Sequence, residues 1–192
     1  FTLIGSTTRA GLLSAPLLDR FGIRCRLKYY NVDELADIVN RSAGILKIRI
    51  EDEGAMIIAK RSRGTPRIAN RLLKLTRDLA IVKNKGVITA DIAGESLDNW
   101  EIDHLGLDEL DKKILMTIID TYNGGPVGLN SIAVSVGEEP GTIEEVYEPF
   151  LVLEGFIRRT SRGREATDLA YEHLGITKKK AKGKIENGLF DS

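Results

Sequence analysis

Residues 156–167 read Phe-Ile-Arg-Arg-Thr-Ser-Arg-Gly-Arg-Glu-Ala-Thr, with two short extended runs on either side of Ser161-Arg162-Gly163. Runs of this kind around a glycine-containing tip predict a β-hairpin. Three segments with apolar residues at helical spacing precede it, at residues 110–119, 129–136 and 142–153. Three helices followed by a two-stranded hairpin are typical of a winged helix, a variant of the helix-turn-helix fold. The sequence therefore predicts a winged-helix domain over residues 107–176.

Charge is unevenly distributed over this domain, although the formal net charge of the whole chain is zero. Residues 107–155 carry ten Asp or Glu against two Lys, and residues 156–184 carry nine Lys or Arg against three Asp or Glu. The third predicted helix and the residue that follows it carry four carboxylates: Glu144, Glu145, Glu148 and Glu154. Because carboxylates repel a phosphate backbone, we expect any DNA contact to come from the basic wing, without sequence readout. The alternative is a solvated basic hairpin that pairs with the acidic helix beside it.

Four helical patterns fill residues 31–100 and predict a helical subdomain. Asn31 or Asp33 can cap the first helix, and Thr89 can cap the last. The third begins at Gly64-Thr65-Pro66-Arg67, where Gly64 ends the preceding helix, Thr65 caps, and Pro66 takes the first helical position. An arginine in the first turn opposes the helix dipole unless it meets an anion. Arg67 is therefore a candidate phosphate ligand, with a solvated arginine as the alternative.

The N-terminal residues 1–30 have the pattern of an α/β protein. Residues 1–8 form an apolar run that ends in hydroxyls, as a buried parallel strand does where it leaves its sheet. Residues 14–21 predict a short helix, and residues 23–30 alternate apolar and basic side chains as a second strand would. A parallel strand needs neighbours. We therefore expect this chain to be the C-terminal piece of a larger protein.

Composition excludes several classes of protein. Hydrophobic residues make up 42% and charged residues 29%, which is ordinary for a globular domain. Cys25 is the only cysteine, so neither an internal disulfide nor a thiolate metal site is expected. No apolar stretch approaches the roughly 18 residues of a membrane span. His104 lies in the predicted linker without a cluster of other ligands, so no metal site is expected there.

Several long motifs together resemble those of the RuvB family, the bacterial AAA+ motors that drive branch migration of Holliday junctions. The motifs are FTLIGSTTRAG at residues 1–11, DRFG at 19–22, GTPRIANRL at 64–72, GGPVGL at 124–129 and RTSRGR at 159–164. The resemblance extends over residues 1–176. It implies a mixed α/β, mostly α chain.

The resemblance also implies a division of the chain. Residues 1–30 would be the remnant of the parallel-sheet large ATPase subdomain, and residues 31–100 the four-helix lid. Residues 101–106 would be a linker, residues 107–176 the winged-helix DNA-binding domain, and residues 177–192 a charged tail.

Roles for individual residues follow from the same resemblance. Thr7 and Thr8 would be catalytic sensor residues. Arg20, Tyr30 and Arg67 would bind the nucleotide, ATP or ADP with Mg²⁺, with Arg67 as the sensor arginine of the lid.

The wing residues receive their roles from the resemblance as well. Arg159 and Arg164 would contact DNA, together with Arg162 at the tip of the same hairpin.

The chain departs from the family pattern at Leu18, which stands where the family's arginine finger usually sits. Leucine cannot stabilise charge on a neighbour's γ-phosphate. Hydrolysis in trans is therefore impaired, or Arg9 or Arg20 takes over, or the position was mutated. The sequence also contains no G-x-x-x-x-G-K-[ST] motif, which supplies the phosphate-binding lysine and a Mg²⁺ ligand. We expect these residues alone not to hydrolyse ATP.

The resemblance implies partners and a cellular place. They are DNA at the arms of a Holliday junction, RuvA, RuvC in the resolving complex, and five further copies in a homo-hexamer in the bacterial cytoplasm, away from any membrane. Two rival interpretations are a stand-alone winged-helix DNA-binding protein and another AAA+ protein, such as a clamp loader or an initiator.

Overall fold

The computed structural model describes residues 1–7 and 10–178. The helices in chain order are α1 Ala15–Asp19, α2 Val32–Leu46, α3 Asp52–Lys60, α4 Pro66–Lys83, α5 Ala90–Asn99, α6 Glu109–Met116, α7 Leu129–Val136, α8 Pro140–Thr142, α9 Glu148–Leu153 and α10 Asp168–His173. The strands are β1 Arg49–Ile50, β2 Val87–Ile88, β3 Ile157–Thr160 and β4 Gly163–Ala166. No helix in this part of the chain is long and apolar enough to cross a membrane.

Helices α2 to α5 form the predicted helical subdomain, and local sequence sets where they begin. Asn31 caps α2 in a reciprocal capping box with Glu34. Thr65 and Thr89 cap α4 and α5 by accepting hydrogen bonds from backbone N–H groups three residues on. The core takes one face of each helix, and its larger members are Leu35, Val39, Ile58, Leu72, Leu73, Ile88 and Leu97. The parallel pairing of β1 with β2 is an addition that the sequence pattern did not predict.

The second core belongs to a winged helix, as predicted. Helices α6, α7 and α9 enclose it, and β3 and β4 pair antiparallel as the wing. Turns with π-type hydrogen bonding, Thr117–Thr121 and Ile143–Tyr147, extend α6 and join α8 to α9. The apolar core lies between these helices and the wing, with Leu107, Ile114, Leu115, Ile118, Ile132, Leu151 and Phe156 fully enclosed. The mostly helical fold class with small sheets is thus confirmed.

Helix α10 closes this domain onto the segment before α6, and the sequence pattern did not predict it. Nε2 of His173 lies 2.8 Å from Oδ2 of Asp103. The other carboxylate oxygen of Asp103 accepts hydrogen bonds from the backbone N–H groups of Leu105 and Leu107. The aromatic ring of Phe156 packs against the imidazole of His173. The first and last segments of the winged helix are therefore joined side by side.

Both strands predicted in residues 1–30 are wrong. Residues 1–7 and 23–30 have no regular secondary structure in the structure, and most of their side chains are exposed. A parallel strand depends on ladder hydrogen bonds to its neighbours, and within the described residues neither run belongs to a β-sheet. The predicted helix is present but shorter, as α1. The predicted charged tail lies outside the described residues from residue 179 onward.

Arg63 joins the two cores. It lies in the loop between α3 and α4 with a left-handed backbone (φ 52°). Its guanidinium donates a 2.7 Å hydrogen bond to the carbonyl of Gly106 and forms ion pairs with Asp108 and Asp111 at the start of α6. It also lies 5.0 Å from the centroid of the Phe150 ring on α9. Because all these groups belong to the winged-helix side, the Arg63 junction fastens the lid loop to that domain.

Asp111 is the acid in this junction whose carboxylate oxygens are least fully hydrogen-bonded. Its carboxyl group is fully buried, and Oδ1 has no hydrogen-bond partner among the described residues. Burial raises the pKa of Asp111 to about 7, and the attraction of Arg63 only partly offsets this. The neighbouring Asp108 carboxylate raises the same pKa further.

The raised pKa of Asp111 predicts a pH-dependent stability. A carboxyl whose pKa is higher in the folded state binds more protons there, so its contribution is full below about pH 4 and is lost as the pH rises to about 7. We expect the loss to be on the order of 4 kcal/mol. Asp111→Asn should remove this slope, measured as the free energy of unfolding across the pH range.

The matched control is Glu109→Gln, because Glu109 is exposed in the same helical turn. It should leave the pH dependence unchanged. Stability curves for wild type and Asp111→Asn that run parallel from pH 4 to pH 7 would contradict the assignment.

Candidate nucleotide and DNA interfaces

The wing presents its arginines in two rows. In the antiparallel register, Arg159 on β3 is directly opposite Arg164 on β4, and Arg158 is opposite Glu165. The last two form an ion pair of 2.7 Å on the outer surface. Arg159 and Arg164 share the other face, where two like charges at opposed positions would repel each other.

Glu148, the first residue of α9, lies between these two arginines. Its Oε1 accepts hydrogen bonds from Nε of Arg159 at 2.5 Å and from Nε of Arg164 at 3.0 Å, and its Oε2 accepts one from Nη2 of Arg164 at 3.0 Å. The Glu148 side chain is only 1% exposed. Glu148 therefore differs from Glu144, Glu145 and Glu154, which are exposed. Arg159 and Arg164 thus pair with the neighbouring helix, and their contact with DNA stays a prediction.

The arginines differ in what they leave available to a ligand. Arg164 is 19% exposed, and two of its donors are engaged by Glu148. Arg159 is 51% exposed and gives Glu148 only Nε, so both terminal nitrogens remain available. Arg162 is exposed at the hairpin tip. A positive surface of Arg159 and Arg162 thus covers the outer end of the wing, with Arg164 beneath it.

The packing of the domain requires a glycine at position 163. Its φ is 139°, and a Cβ there would lie 2.4 Å from the carbonyl oxygen of Val127. Val127 pairs with Arg164 through two backbone hydrogen bonds of 2.8 and 2.9 Å, in effect a third strand of the wing. A side chain at residue 163 would separate the wing from this support.

The N-terminus of α4 is the candidate nucleotide contact. Arg67 is exposed in its first turn, next to the Thr65 cap. The backbone N–H of Tyr30 donates a 2.9 Å hydrogen bond to the carbonyl of Gly64. Gly64 has φ 68°, and a Cβ there would lie 2.7 Å from Cβ of Tyr29. The structure therefore brings Tyr30 and Arg67, which are distant in sequence, to one end of α4.

The other predicted nucleotide residues are not brought into this group. Thr7 is exposed in the irregular N-terminal run. Arg20 is exposed at the C-cap of α1, and Leu18 is half-buried within the same helix. Thr8 lies outside the described residues. Their catalytic and nucleotide-binding roles stay predictions.

Sequence reasoning missed that two acids, Glu148 and Asp111, are buried and paired with arginines. It grouped Glu148 with the other carboxylates of its helix. Asp108 and Asp111 do form a capping box at the start of α6, and the contact of Asp111 with Arg63 comes in addition. A weak signal was present for Glu148, because it falls among the apolar residues of its helix, between Ile143 and Leu151.

Three protein-family models match the chain in order. They are the Holliday junction DNA helicase RuvB P-loop domain over residues 1–27, the RuvB AAA lid domain over residues 30–103, and the RuvB C-terminal winged helix domain over residues 104–175. The chain belongs to the RuvB family. The rival AAA+ interpretations, a clamp loader or an initiator, are set aside.

Relatives of known description agree with this assignment. The Holliday junction branch migration complex subunit RuvB of Pediococcus pentosaceus is 59% identical over 176 residues, which is 92% of this chain and 52% of that protein. The solved structure of the Thermotoga maritima RuvB Holliday junction branch migration motor superposes with a TM-score of 0.83 at 52% identity, covering 88% of this chain and 57% of that one. A single-residue mutant of the same motor gives 0.84 at 53% identity, covering 90% of this chain and 57% of that one. The chain spans about half the length of these relatives.

The Glu148 ion pairs predict unequal stability effects within the wing. Arg164→Ala removes hydrogen bonds to both oxygens of Glu148 and leaves a buried carboxylate poorly compensated, so the free energy of unfolding should fall by about 2 kcal/mol. Arg162→Ala removes the same charge from the exposed tip and should change it by about 0.5 kcal/mol or less. Urea unfolding followed by circular dichroism measures both. Equal effects of the two substitutions would show that Glu148 does not depend on Arg164.

Proposed function

We propose that this chain supplies the nucleotide-sensing lid and the DNA-binding wing of a hexameric, ATP-dependent DNA translocase that drives Holliday-junction branch migration. The observation that carries the proposal is the exposed positive surface of Arg159 and Arg162 on a wing whose domain matches the RuvB winged helix. Arginine at a hairpin tip fits phosphate oxygens, and contacts to phosphate carry no sequence information. The wing would hold the DNA backbone irrespective of sequence.

The α4 N-terminus supports a nucleotide role for the lid. The exposed guanidinium of Arg67, beside the helix N-terminus, fits a phosphate group, and Tyr30 lies against the same loop. Bound ATP or ADP would supply the phosphate whose state the lid reads. Within residues 1–7 and 10–178, no group of three or more His, Cys, Asp or Glu could hold a metal ion.

Lid and wing are mechanically connected in this proposal. The Arg63 junction lies four residues before Arg67 in sequence and binds α6 and α9 of the winged helix. A movement of the lid loop between nucleotide states would therefore carry the winged helix with it. Partner assignments also belong to the proposal: a homo-hexamer, RuvA, RuvC and the arms of the junction, in the bacterial cytoplasm. The remaining alternative is a winged-helix module that binds DNA without a motor.

Replacement of the exposed wing arginines tests the DNA role. Arg159→Ala with Arg162→Ala should weaken binding about equally for unrelated duplex sequences, because these arginines bind phosphates. The slope of log affinity against log salt should flatten by roughly 0.9 for each phosphate that is no longer neutralised by an arginine. Fluorescence anisotropy with two labelled duplexes across a salt series provides the measurement.

The matched control removes two charges elsewhere, with Arg71→Ala and Lys74→Ala on the exposed face of α4. Affinity and salt slope should then stay close to wild type. A decrease confined to one duplex sequence, or the same decrease in the control, would contradict phosphate binding by the wing.

Arg67→Ala in the intact protein tests the lid. An exposed arginine in a first helical turn contributes little to folding, so ATP turnover should fall while the melting temperature holds. The two readouts are steady-state phosphate release and calorimetry. A lowered melting temperature with unchanged turnover per folded molecule would make Arg67 structural.

Residues 1–192 alone should release no phosphate from ATP above a no-protein baseline. The reason is the missing G-x-x-x-x-G-K-[ST] motif and its lysine. Turnover that survives further purification and disappears on unfolding would contradict this expectation.

A further inference from the structure

Glu148 holds an unusual position for an acid in a domain that would bind DNA. Apolar side chains surround it, since Ile114, Ile132, Ile143 and Leu151 line the small cavity that Glu148 and Arg164 border. A carboxylate in such surroundings stays charged only with close, hydrogen-bonded partners. Both of its oxygens are occupied by the two arginines. Because Glu148 is buried, its charge is stabilised only while Arg159 and Arg164 keep these hydrogen bonds to it.

The two arginines are held unequally. Arg164 presents the edge formed by Nε and Nη2 to the two oxygens of Glu148, the bidentate arrangement that fixes a guanidinium plane. Arg159 donates only Nε to Glu148, and its side chain is 51% exposed, so its terminal nitrogens are left for a ligand while Nε holds the guanidinium in place. Arg164 thus serves as a support, and Arg159 as the group presented to solvent.

We propose that Glu148 is the positioning residue of the wing, which fixes Arg164 as a support and orients the terminal nitrogens of Arg159 toward a DNA phosphate. This inference rests on the proposed DNA-binding function of the wing. A flexible arginine loses rotamer freedom when it binds a phosphate, whereas a pre-oriented one has already lost it during folding. Glu148 would therefore favour DNA binding although its own charge is negative.

The charge of Glu148 and its positioning role affect DNA affinity in opposite directions, so the direction of the measured change distinguishes them. Glu148→Gln makes the wing more positive by one charge, so electrostatics alone predicts tighter DNA binding. The amide keeps one acceptor for the Nε groups, but it places a donor against Nη2 of Arg164 and removes the charge that both guanidiniums share, so their support is weakened. Positioning predicts weaker binding, by about three- to tenfold if one side chain must be ordered on binding.

The experiment measures anisotropy of a labelled 25-base-pair duplex with wild-type residues 1–192, Glu148→Gln, Arg159→Ala and the double variant. Glu148→Gln should weaken binding without flattening the salt slope, because it removes no arginine from the DNA-facing surface. When residue 159 is already alanine, Glu148→Gln should lower the DNA affinity almost no further, because Glu148 acts on DNA binding through Arg159. Binding by Glu148→Gln at wild-type strength or tighter overturns the proposal.

A second variant covers the case in which Glu148→Gln lowers the melting temperature below the assay temperature. Arg164→Lys keeps the charge but cannot form the bidentate pair. It should weaken DNA binding in the same direction, whereas wild-type affinity overturns the proposal.

The outcomes separate this inference from the function on which it rests. If wild type binds and Arg159→Ala weakens binding while Glu148→Gln and Arg164→Lys do not, only the positioning role falls. If wild type shows no salt-dependent binding, or Arg159→Ala has no effect, the DNA-binding role of the wing falls with it.

Discussion

The ion pairing of Arg63 is the constraint on which the arrangement of the two cores depends. A guanidinium with a side chain only 9% exposed must find acceptors, and it finds them in Asp108, Asp111 and the Gly106 carbonyl. These acceptors define where the linker ends and where α6 begins. The contact with Phe150 extends the same restraint to α9. The helix that begins with Glu148 is therefore oriented by a residue of the lid.

Two buried acids, each facing arginine, show how the winged helix accommodates its negative charge. Glu148 has partners on both oxygens, whereas Asp111 has them on one only. Burial raises the pKa of Asp111, and Arg63 lowers it only in part. Asp111 therefore makes the junction at the start of α6 respond to protonation. The acidic residues of the winged helix therefore include two buried carboxylates that pair with arginine, besides those exposed to solvent.

Sequence predicted those parts of the fold whose causes are local. The caps at Asn31, Thr65 and Thr89 and the glycine-tipped wing were readable because each depends on a few neighbouring residues. The strands in residues 1–30 failed because a parallel strand is made by its neighbours, and the described residues supply none. Glu148 and its partner Arg164 are 16 residues apart, and Asp111 and its partner Arg63 are 48 residues apart. These ion pairs could not be predicted because they join segments that are distant in sequence.

For the candidate site residues too, sequence identified some features, and only the three-dimensional structure showed the others. Family motifs identified Arg67 and the wing arginines as candidates, yet nothing in a linear motif distinguishes an arginine that faces solvent from one held beneath it. Arg159 and Arg164 look equivalent in sequence, and only three-dimensional contact separates them, through the single carboxylate they share. Burial of that carboxylate is a property of tertiary packing, and it therefore could not be inferred from spacing.

The bond between Asp103 and His173 gives the winged helix a particular response to tension. A pull that enters through the linker and leaves through the wing would load the domain at Asp103, where its first segment is fastened to its last helix across 70 residues of chain. The segment before α6 and helix α10 cannot separate unless this contact breaks as well. Opening of the domain at one of its ends would therefore involve the other end too.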